Sequence, residues 1–182
     1  SAGAPLIHPL VDLGNYVMLE IGAPMHVFDL AKLALPINVQ FPVKSNNLVK
    51  VIGGDIKDVQ PTSLTIQDQS GIKAIAGIIG GEESSVSSNT IDIAIEAAFF
   101  RPKVIVNQAR KYGLATDASH RFERGVDPEI QQLALERYLF LLNQIADYDS
   151  VELYCSHSHK TKKKNVKLDI TRFNNFSGLS LN

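Results

Sequence analysis

The amino-acid sequence predicts an α+β fold in which a mixed, largely antiparallel sheet packs against helices. Strand-like periodicity is concentrated between residues 37 and 98, where short polar and glycine-rich turns join one strand to the next. Helical patterns flank this region on both sides, at residues 11–22 and from residue 102 onward. A helix, then strands joined as hairpins, then further helices is an order typical of α+β proteins.

The first predicted elements are a helix and an edge strand. Residues 11–22 contain apolar side chains without strict alternation, which predicts a short helix ending at Gly22. Alternation then predicts a half-buried strand, whose apolar positions are Ile37, Val39, Phe41 and Val43. Pro42 lies within that strand and has no backbone N–H to donate, so the strand belongs at an edge of the sheet.

Two hairpins and a central strand follow. Gly53-Gly54 joins one predicted pair of strands, and the polar turn at residues 68–71 joins a second pair that ends at Ile79. The clearest strand covers residues 91–98. Its two faces alternate, with Ile91, Ile93, Ile95 and Ala97 on one and Asp92, Ala94, Glu96 and Ala98 on the other.

The last third of the chain is predicted to be mainly helical. Pro102 suits the first position of a helix that runs to about Tyr112, and Gly113 ends it. Asp127 and Pro128 are predicted to begin the longest helix, as its N-cap and its first residue. The apolar stripe of that helix consists of Ile130, Ala134, Tyr138, Leu141, Leu142 and Ile145.

A polar, basic connector is predicted at residues 156–165, between short strands at residues 151–155 and 166–170. His157 and His159 have no cysteine or acidic partner at metal-ligand spacing, so a zinc site is not expected there. The lysines of the connector fit a solvated linker better than a phosphate contact; they are Lys160, Lys162, Lys163 and Lys164.

Composition excludes several classes of protein. With 182 residues, of which 45% are hydrophobic, the chain can bury a sizeable core and is not disordered. A net charge of −1 argues against a broad nucleic-acid-binding surface, although contact with the end of an RNA needs few basic residues. No apolar run approaches the ~18 residues of a membrane-spanning helix. Cys155 is the single cysteine, which fits a reducing, cytoplasmic location.

Glu96 is the strongest candidate for a functional side chain. It lies in the clearest predicted strand, between Ala94 and Ala98 on its own face, and these small neighbours leave room for a pocket. A carboxylate in such a pocket can accept a strong, charge-assisted hydrogen bond from a buried donor. The alternative is a structural ion pair with Arg121 or Arg124.

His26 and a cluster of glycines are weaker candidates. His26 stands among apolar residues, where a histidine is more often part of the core than part of a site. Gly77, Gly80 and Gly81 permit positive φ and close approach of a ligand, but they equally fit a turn or a bulge.

Residues 113–128 carry an unusual density of polar side chains for a connection between two helices, and loops on a rigid scaffold often hold functional sites. Asp117 is expected to hold this loop through ion pairs with Arg121 and Arg124. Ser119 is followed by His120, but adjacent residues rarely present the geometry of a nucleophile and its base, and a triad needs a third orienting group. Ser119 is therefore expected to cap the loop.

Four ordered segments resemble one protein family and cover roughly residues 7–150. They are Asn-Tyr-Val-Met-Leu-Glu at 15–20 with Pro-Met-His-Val-Phe-Asp at 24–29, Ala-Gly-Ile-Ile-Gly-Gly-Glu at 76–82, Ile-Glu-Ala-Ala-Phe-Phe-Arg-Pro at 95–102, and Thr-Asp-Ala-Ser-His-Arg-Phe-Glu-Arg-Gly at 116–125. Together they resemble the B3/B4 editing domain of the bacterial phenylalanyl-tRNA synthetase β subunit. The resemblance implies a B3/B4 domain at 1–155, a linker at 156–165 and the truncated start of a B5-like domain at 166–182.

The resemblance also implies a reaction and a set of site residues. The family's editing site hydrolyses the ester of mischarged Tyr-tRNA(Phe). The positions that match its catalytic residues are His26, Glu96 and Thr116, and those that match its substrate-binding residues are Gly77, Glu96, Ala118 and His26. A pocket that hydrogen-bonds the tyrosine hydroxyl can reject phenylalanine by roughly 10⁴–10⁵-fold, because phenylalanine would leave the polar groups of the pocket unpaired.

The partners implied by the resemblance are the acceptor end of tRNA(Phe) and the synthetase α subunit, in an α2β2 enzyme. No cofactor is expected on this chain, since ATP and Mg²⁺ belong to the synthetic site of the α subunit. The family's basic residue upstream of its Ile-Asn-Pro segment, which is Ile7-His8-Pro9 here, is not found, and Gly14 stands where the family has a threonine before Asn15. His8, or sequence that precedes this chain, is the candidate substitute for the family's RNA contact. The alternative function is a non-catalytic scaffold, or a module that binds the α subunit or tRNA.

Overall fold

The computed structural model describes residues 6–43, 47–156 and 165–181, and the chain divides into two compact units, residues 1–151 and 152–182. In chain order, the elements of the first unit are α1 (Pro9–Ile21), β1 (Met25–Asp29), a 3₁₀ turn (Leu30–Lys32), β2 (Asn38–Gln40), β3 (Leu48–Lys50), β4 (Ile56–Asp58), β5 (Thr65–Asp68), β6 (Gly71–Ile75), β7 (Ile79–Gly80), β8 (Ile93–Ala97), α2 (Pro102–Ile105), α3 (Gln108–Lys111), α4 (Asp117–Arg124) and α5 (Gln131–Leu142). The predicted domain boundaries at 155 and 165 stay predictions.

The strands form three antiparallel sheets within the described residues. β1 pairs with β8, β3 pairs with β4, and the third sheet has the order β2-β5-β6-β7. Helices and antiparallel sheets occur in separate stretches of the chain, so the predicted α+β class is confirmed. Both predicted hairpins are also confirmed, since β3–β4 is joined through Gly53-Gly54 and β5–β6 through residues 68–71. The predicted end of the second hairpin at Ile79 is wrong, because β6 ends at Ile75 and a turn at residues 76–78, in which Gly77 has φ of 69°, separates it from β7.

Hydrogen bonds to the carboxylate of Asp68 determine the position of the turn in the second hairpin. The Asp68 carboxylate accepts hydrogen bonds from the backbone N–H groups of Ser70, at 2.8 Å, and Gly71, at 3.0 Å. It also accepts from the Ala34 N–H at 2.7 Å, which ties the turn to the segment before β2. Burial by itself would raise the pKa of Asp68, but these hydrogen bonds outweigh it and lower the pKa. The turn therefore keeps a charged carboxylate as its centre.

The β1–β8 sheet lies between two hydrophobic clusters. On one face, Val27 and Ile95 pack with residues of α1 and α5, including the fully buried Tyr138. On the other face, Phe28 and Ala94 pack with the four-stranded sheet and with α2 to α4. The predicted alternation is thus confirmed within β8, because successive side chains of a strand point to opposite faces. It is wrong for Ile91, which precedes β8 and is 92% exposed.

The beginning of the chain agrees with its prediction, whereas β2 agrees only in part. α1 ends at the predicted Gly22, which adopts the left-handed conformation with φ of 79°. β2 pairs only with β5 among the described strands, so its edge position is confirmed. Its expected half-burial is wrong, because all three of its residues, Val39 included, are exposed on the edge of the sheet.

The predicted helix from Pro102 to Tyr112 is interrupted. Asn107 adopts a left-handed conformation with φ of 62°, a region that asparagine tolerates better than most residues. The chain therefore forms α2 and α3 as two short helices. The break lets Tyr112 reach the core, where its hydroxyl accepts a hydrogen bond from the Gln60 N–H at 3.0 Å.

The helix predicted to begin at Asp127-Pro128 begins later. The Asp127 carboxylate accepts the N–H of Glu129 at 2.9 Å and closes a separate turn, so that α5 starts at Gln131. α5 is also shorter than α1, with 12 residues against 13. Ile145 lies beyond the end of α5 and is 56% exposed, so it does not belong to the apolar stripe.

In the second unit, the strands expected at residues 151–155 and 166–170 are not formed. Both segments are exposed and have no pairing partner among the described residues, and a strand requires one. Instead α6 (Ile170–Ser177) forms, with the Asp169 carboxylate capping its N-terminus through the Arg172 N–H at 2.9 Å. The histidines and lysines of the predicted connector, residues 157–164, lie outside the described residues.

Candidate active site

Two of the predicted site residues face each other across a pair of strands. In the antiparallel register of β1 and β8, His26 lies directly opposite Glu96. Directly opposed residues project from the same face of a sheet, with Cβ atoms roughly 4.5–5.5 Å apart. The two residues are 70 positions apart in the sequence, so the pairing of the strands alone brings an imidazole and a carboxylate together.

A small cavity of about 70 Å³ opens beside this pair. Its wall includes four of the predicted site residues, which are His26, Gly77, Glu96 and Ala118. They come from β1, from the turn between β6 and β7, from β8 and from α4. Thr116, the fifth predicted residue, does not line the cavity but lies just before α4.

Glu96 has a half-buried carboxyl group without a partner. No described residue forms an ion pair or hydrogen bond with that carboxyl group, and burial raises its pKa to about 7. The alternative of an ion pair with Arg121 or Arg124 is wrong. Arg121 pairs with Asp117 at 2.9 Å, as expected for that aspartate. The pair expected between Asp117 and Arg124 is wrong, because Arg124 pairs with Glu123 at 3.4 Å.

A second, apolar cavity of about 180 Å³ also reaches Glu96. Ala94 and Ala98, the small neighbours on the same face of β8, both line it together with Phe28 and Phe100. The expectation that these alanines leave room for a pocket is confirmed. Glu96 therefore borders a cavity on each side.

His26 is held by packing. Its ring lies edge-on to Phe28, with ring centroids 4.4 Å apart and planes at 84°. Its Nε2 atom is buried and has no hydrogen-bond partner among the described residues. Burial lowers the pKa of His26 to about 4, so the imidazole is neutral at pH 7.

The structure requires glycine at positions 77 and 81 for two different reasons. Gly77 occupies the turn after β6 with φ of 69°, and a Cβ there would lie only 3.1–3.2 Å from Phe100, Ile105 and Phe122. Gly81 has no positive φ, but a Cβ would lie 2.7 Å from the Lys73 carbonyl oxygen. Gly77 thus fits the turn, whereas at Gly81 the chain's own backbone occupies the space. Close approach of a ligand to these glycines stays a prediction.

Half of the polar stretch at residues 113–128 is helix, because α4 covers Asp117–Arg124. Thr116 and Ser119 form a reciprocal capping box at the start of α4, which confirms the expected capping role of Ser119. The Thr116 hydroxyl accepts the Ser119 N–H at 3.0 Å and donates to the Ile78 carbonyl oxygen at 2.8 Å. Thr116 therefore ties α4 to the turn that contains Gly77.

Replacing Thr116 by valine is expected to lower the free energy of unfolding by about 1–2 kcal/mol, because a helix cap and a hydrogen bond to Ile78 are lost together. Replacement by serine keeps the hydroxyl group and is expected to change the stability little. Urea denaturation of both variants measures the difference. Equal stability of the valine and serine variants would show that the hydroxyl bonds contribute nothing.

Phe122 is a cavity residue that the sequence did not single out. It lies one helical turn after Ala118 on α4, lines the same cavity, and packs edge-on against Phe100 with centroids 5.0 Å apart. Residues four apart share one face of a helix, so a helical prediction for this segment would have placed the two together.

The described residues offer no site for a metal ion: no three His, Cys, Asp or Glu side chains lie together in that part of the chain. Nor does any helix among residues 6–43, 47–156 and 165–181 have the length and apolar character needed to cross a membrane.

Comparison with known proteins places this domain in a family. The B3/4 domain family matches residues 1–147 of the chain. The phenylalanine–tRNA ligase β subunit of Mannheimia succiniciproducens is 46% identical over 168 residues, which cover 91% of this chain and 21% of that protein. The β subunit of Pasteurella multocida is 49% identical over 143 residues (79% and 18%), and that of Hahella chejuensis 43% identical over 182 residues (99% and 23%).

A solved N-terminal fragment of the phenylalanyl-tRNA synthetase β subunit from Pyrococcus horikoshii is more distant. It shares 15% identity and a TM-score of 0.49, over 95% of this chain and 51% of the fragment, a likeness too remote to bear on the site. The chain spans about a fifth of the length of the ligase β subunits that it matches. As the four sequence segments predicted, the chain belongs to the B3/4 domain family, and its relatives in that family are phenylalanine–tRNA ligase β subunits.

Proposed function

We propose that this domain removes tyrosine from mischarged Tyr-tRNA(Phe) by hydrolysing the aminoacyl ester. The observation that carries the proposal is the half-buried Glu96 carboxyl group, which borders a cavity and has no partner among the described residues. The oxygens of this group are not among the fully buried polar atoms of the described residues, so they keep contact with water until a ligand displaces it. A ligand with a hydrogen-bonding group is then favoured, because a ligand without one would leave the carboxyl group unpaired, at a cost of about 1–3 kcal/mol.

A phenol hydroxyl is a suitable partner for this carboxyl group. The hydroxyl of tyrosine donates a hydrogen bond to the ionised carboxylate and, where the carboxyl group is protonated, accepts one from it. Phenylalanine offers neither, so its ring would leave Glu96 unpaired and would bind poorly. In this proposal the backbone of Gly77 faces the bound amino acid, and the small side chain of Ala118 leaves room for the aromatic ring. Glu96 recognises the hydroxyl group.

Hydrolysis of the ester requires a water molecule held at the carbonyl carbon. In the reaction the water oxygen bonds to that carbon, the bond to the ribose oxygen breaks, and the ribose oxygen leaves with a proton. Neutral His26 has one ring nitrogen that donates a hydrogen bond and one that accepts. Its Nε2 is buried against Gly80, so Nδ1 is the ring nitrogen that would contact the water or the ester. It is therefore suited to orient the water or the ester. Thr116 supports the site through the Gly77 turn, since its own hydroxyl hydrogen is already donated to Ile78.

The proposal extends to the protein of which such a domain forms part. Its partners are the acceptor end of tRNA(Phe) and the α subunit of phenylalanine–tRNA ligase in an α2β2 assembly, in the cytoplasm. ATP and Mg²⁺ would serve the synthetic site on the α subunit. Hydrolysis of Tyr-tRNA(Phe) would then remove tyrosine that the synthetic site had attached by mistake.

The test is the deacylation of Tyr-tRNA(Phe) beside Phe-tRNA(Phe), with this chain and with an α/β ligase that carries it. The expected result is faster hydrolysis of the tyrosyl ester by the ligase, and by the chain if its own contacts suffice to hold the tRNA end. Hydrolysis by neither protein would overturn the proposal and leave the non-catalytic alternative, a scaffold or a binding module.

A further inference from the structure

Gly80 has no backbone requirement for glycine. It lies in β7 and pairs with Ala74, and it is not among the glycines with positive φ. Every L-amino acid can adopt an ordinary strand conformation, and glycine weakens a strand. The absence of a side chain at Gly80 therefore needs an explanation from its surroundings.

The imidazole of His26 occupies the space where a side chain would begin. A Cβ built on Gly80 would collide with the Cε1 and Nε2 atoms of the His26 ring, and the next contact, Cδ1 of Ile52, would lie at 3.1 Å. Ile52 is exposed and its terminal methyl group can move aside. The ring cannot move as freely, because it also packs edge-on against Phe28.

Packing, rather than hydrogen bonding, sets the orientation of the His26 ring. A hydrogen bond normally fixes the orientation of an imidazole, but Nε2 of His26 is buried without a partner among the described residues. The position of the ring opposite Glu96 therefore depends on the groups that touch it, which include the bare backbone of Gly80 and the edge of Phe28.

We infer that Gly80 is a positioning residue, whose missing side chain lets the His26 imidazole lie against β7 and face the cavity beside Glu96. A methyl group at Gly80 would displace the ring. In a site that holds reacting atoms by geometry, a misplacement of about 1 Å can reduce the rate about 10²-fold. The effect on the reaction rests on the proposed function, whereas the effect on the ring does not.

The experiment compares Gly80→Ala with Gly14→Ala, a matched control in α1. The methyl group added at Gly14 would make only ordinary van der Waals contacts, the nearest with the Cβ of Met25 at 3.7 Å. Two readouts are needed. The NMR signals of the His26 ring, assigned with a His26→Ala sample, report the position of the imidazole in the 182-residue chain. The kcat and KM for Tyr-tRNA(Phe) deacylation, measured in the α/β ligase, report the reaction.

Gly80→Ala is expected to shift the His26 ring signals and to lower kcat by about tenfold or more with a smaller change in KM, because displacement affects orientation more than binding. Gly14→Ala is expected to leave both unchanged. In a His26→Ala background, Gly80→Ala is expected to change neither kcat nor the thermal midpoint further, since the colliding ring is gone.

Two results would overturn the inference. One is a folded Gly80→Ala chain with His26 ring signals in their wild-type positions. The other is a loss of kcat on Gly80→Ala that is equally large in the His26→Ala background. Shifted ring signals together with an absence of hydrolysis by the wild-type ligase would support the positioning of His26 by Gly80 and would refute the editing function alone.

Discussion

The Glu96→Gln variant is expected to lose most of the preference for tyrosyl over phenylalanyl ester. Glutamine keeps the size of the side chain but replaces a charge-assisted hydrogen bond by a neutral one. A hydrogen bond to a charged group contributes about 1.5–3 kcal/mol and a neutral one about 0.5–1.5 kcal/mol. The exchange therefore costs about 1–1.5 kcal/mol, which corresponds to a decrease of roughly 5- to 13-fold in kcat/KM for Tyr-tRNA(Phe). The measurement is deacylation by the α/β ligase with both tRNA species.

Glu96→Leu separates recognition of the hydroxyl from catalysis. Leucine leaves no unpaired polar group at this position, so a phenylalanine ring no longer meets a penalty there. Hydrolysis of Phe-tRNA(Phe) is therefore expected to rise in this variant while hydrolysis of Tyr-tRNA(Phe) falls. If both esters lost activity by the same factor, Glu96 would act in the reaction and not in recognition.

Glu136→Gln is the matched control for both variants. Glu136 is exposed on α5, where its carboxylate accepts a hydrogen bond from the Gln132 side chain at 2.8 Å. It does not line the cavity beside Glu96. The control is expected to hydrolyse both esters as the wild type does. A similar loss of selectivity in the Glu136 variant would contradict the assignment of the effect to Glu96.

Stability is expected to depend on pH in opposite directions in variants of His26 and Glu96. Burial lowers the pKa of His26 from 6.5 to about 4, so the unfolded chain binds a proton more readily and stability is lost as the pH falls from about 6.5 to about 4. Burial raises the pKa of Glu96 from 4.5 to about 7, so the folded chain binds the proton more readily and stability is lost as the pH rises from about 4.5 to about 7.

These two effects oppose each other between pH 5 and 6.5 in the wild-type chain. For each residue, a pKa shift of this size changes the free energy of unfolding by at most about 3 kcal/mol between its unfolded and its folded pKa. In Glu96→Gln only the histidine of this pair titrates, and relative to the double variant the free energy of unfolding should rise from pH 5 to 6.5. In His26→Gln only the carboxyl group of this pair titrates, and relative to the double variant the free energy should fall over the same interval.

Urea denaturation of the two single variants, the double variant and the wild-type chain at several pH values measures these slopes. The double variant is the control, because it keeps every other titrating group and should resemble the wild type between pH 5 and 6.5. Slopes of the same sign in the two single variants, relative to the double variant, would contradict opposite burial effects on the two groups.

Much of the fold could be predicted because its signals are local. Gly22 ends α1, Gly53-Gly54 and the Asp68 turn join hairpins, and the alternation of residues 91–98 assigns the two faces of β8. Prediction failed where a side chain had two local options. Asp127 closes its own turn instead of capping α5, and Asn107 adopts a left-handed conformation that divides one expected helix into two.

For the candidate site, the sequence could propose residues but could not predict their arrangement. The sequence by itself proposes the residues: Glu96 from its place in an alternating strand, and Thr116 from its match to the family segment at 116–125. Only the tertiary structure sets His26 opposite Glu96, directs the Thr116 hydroxyl to Ile78 and packs the His26 ring against Gly80. These contacts join segments far apart in the chain, and they depend on strand register and on the space between side chains. Neither quantity is encoded in a local pattern of residues.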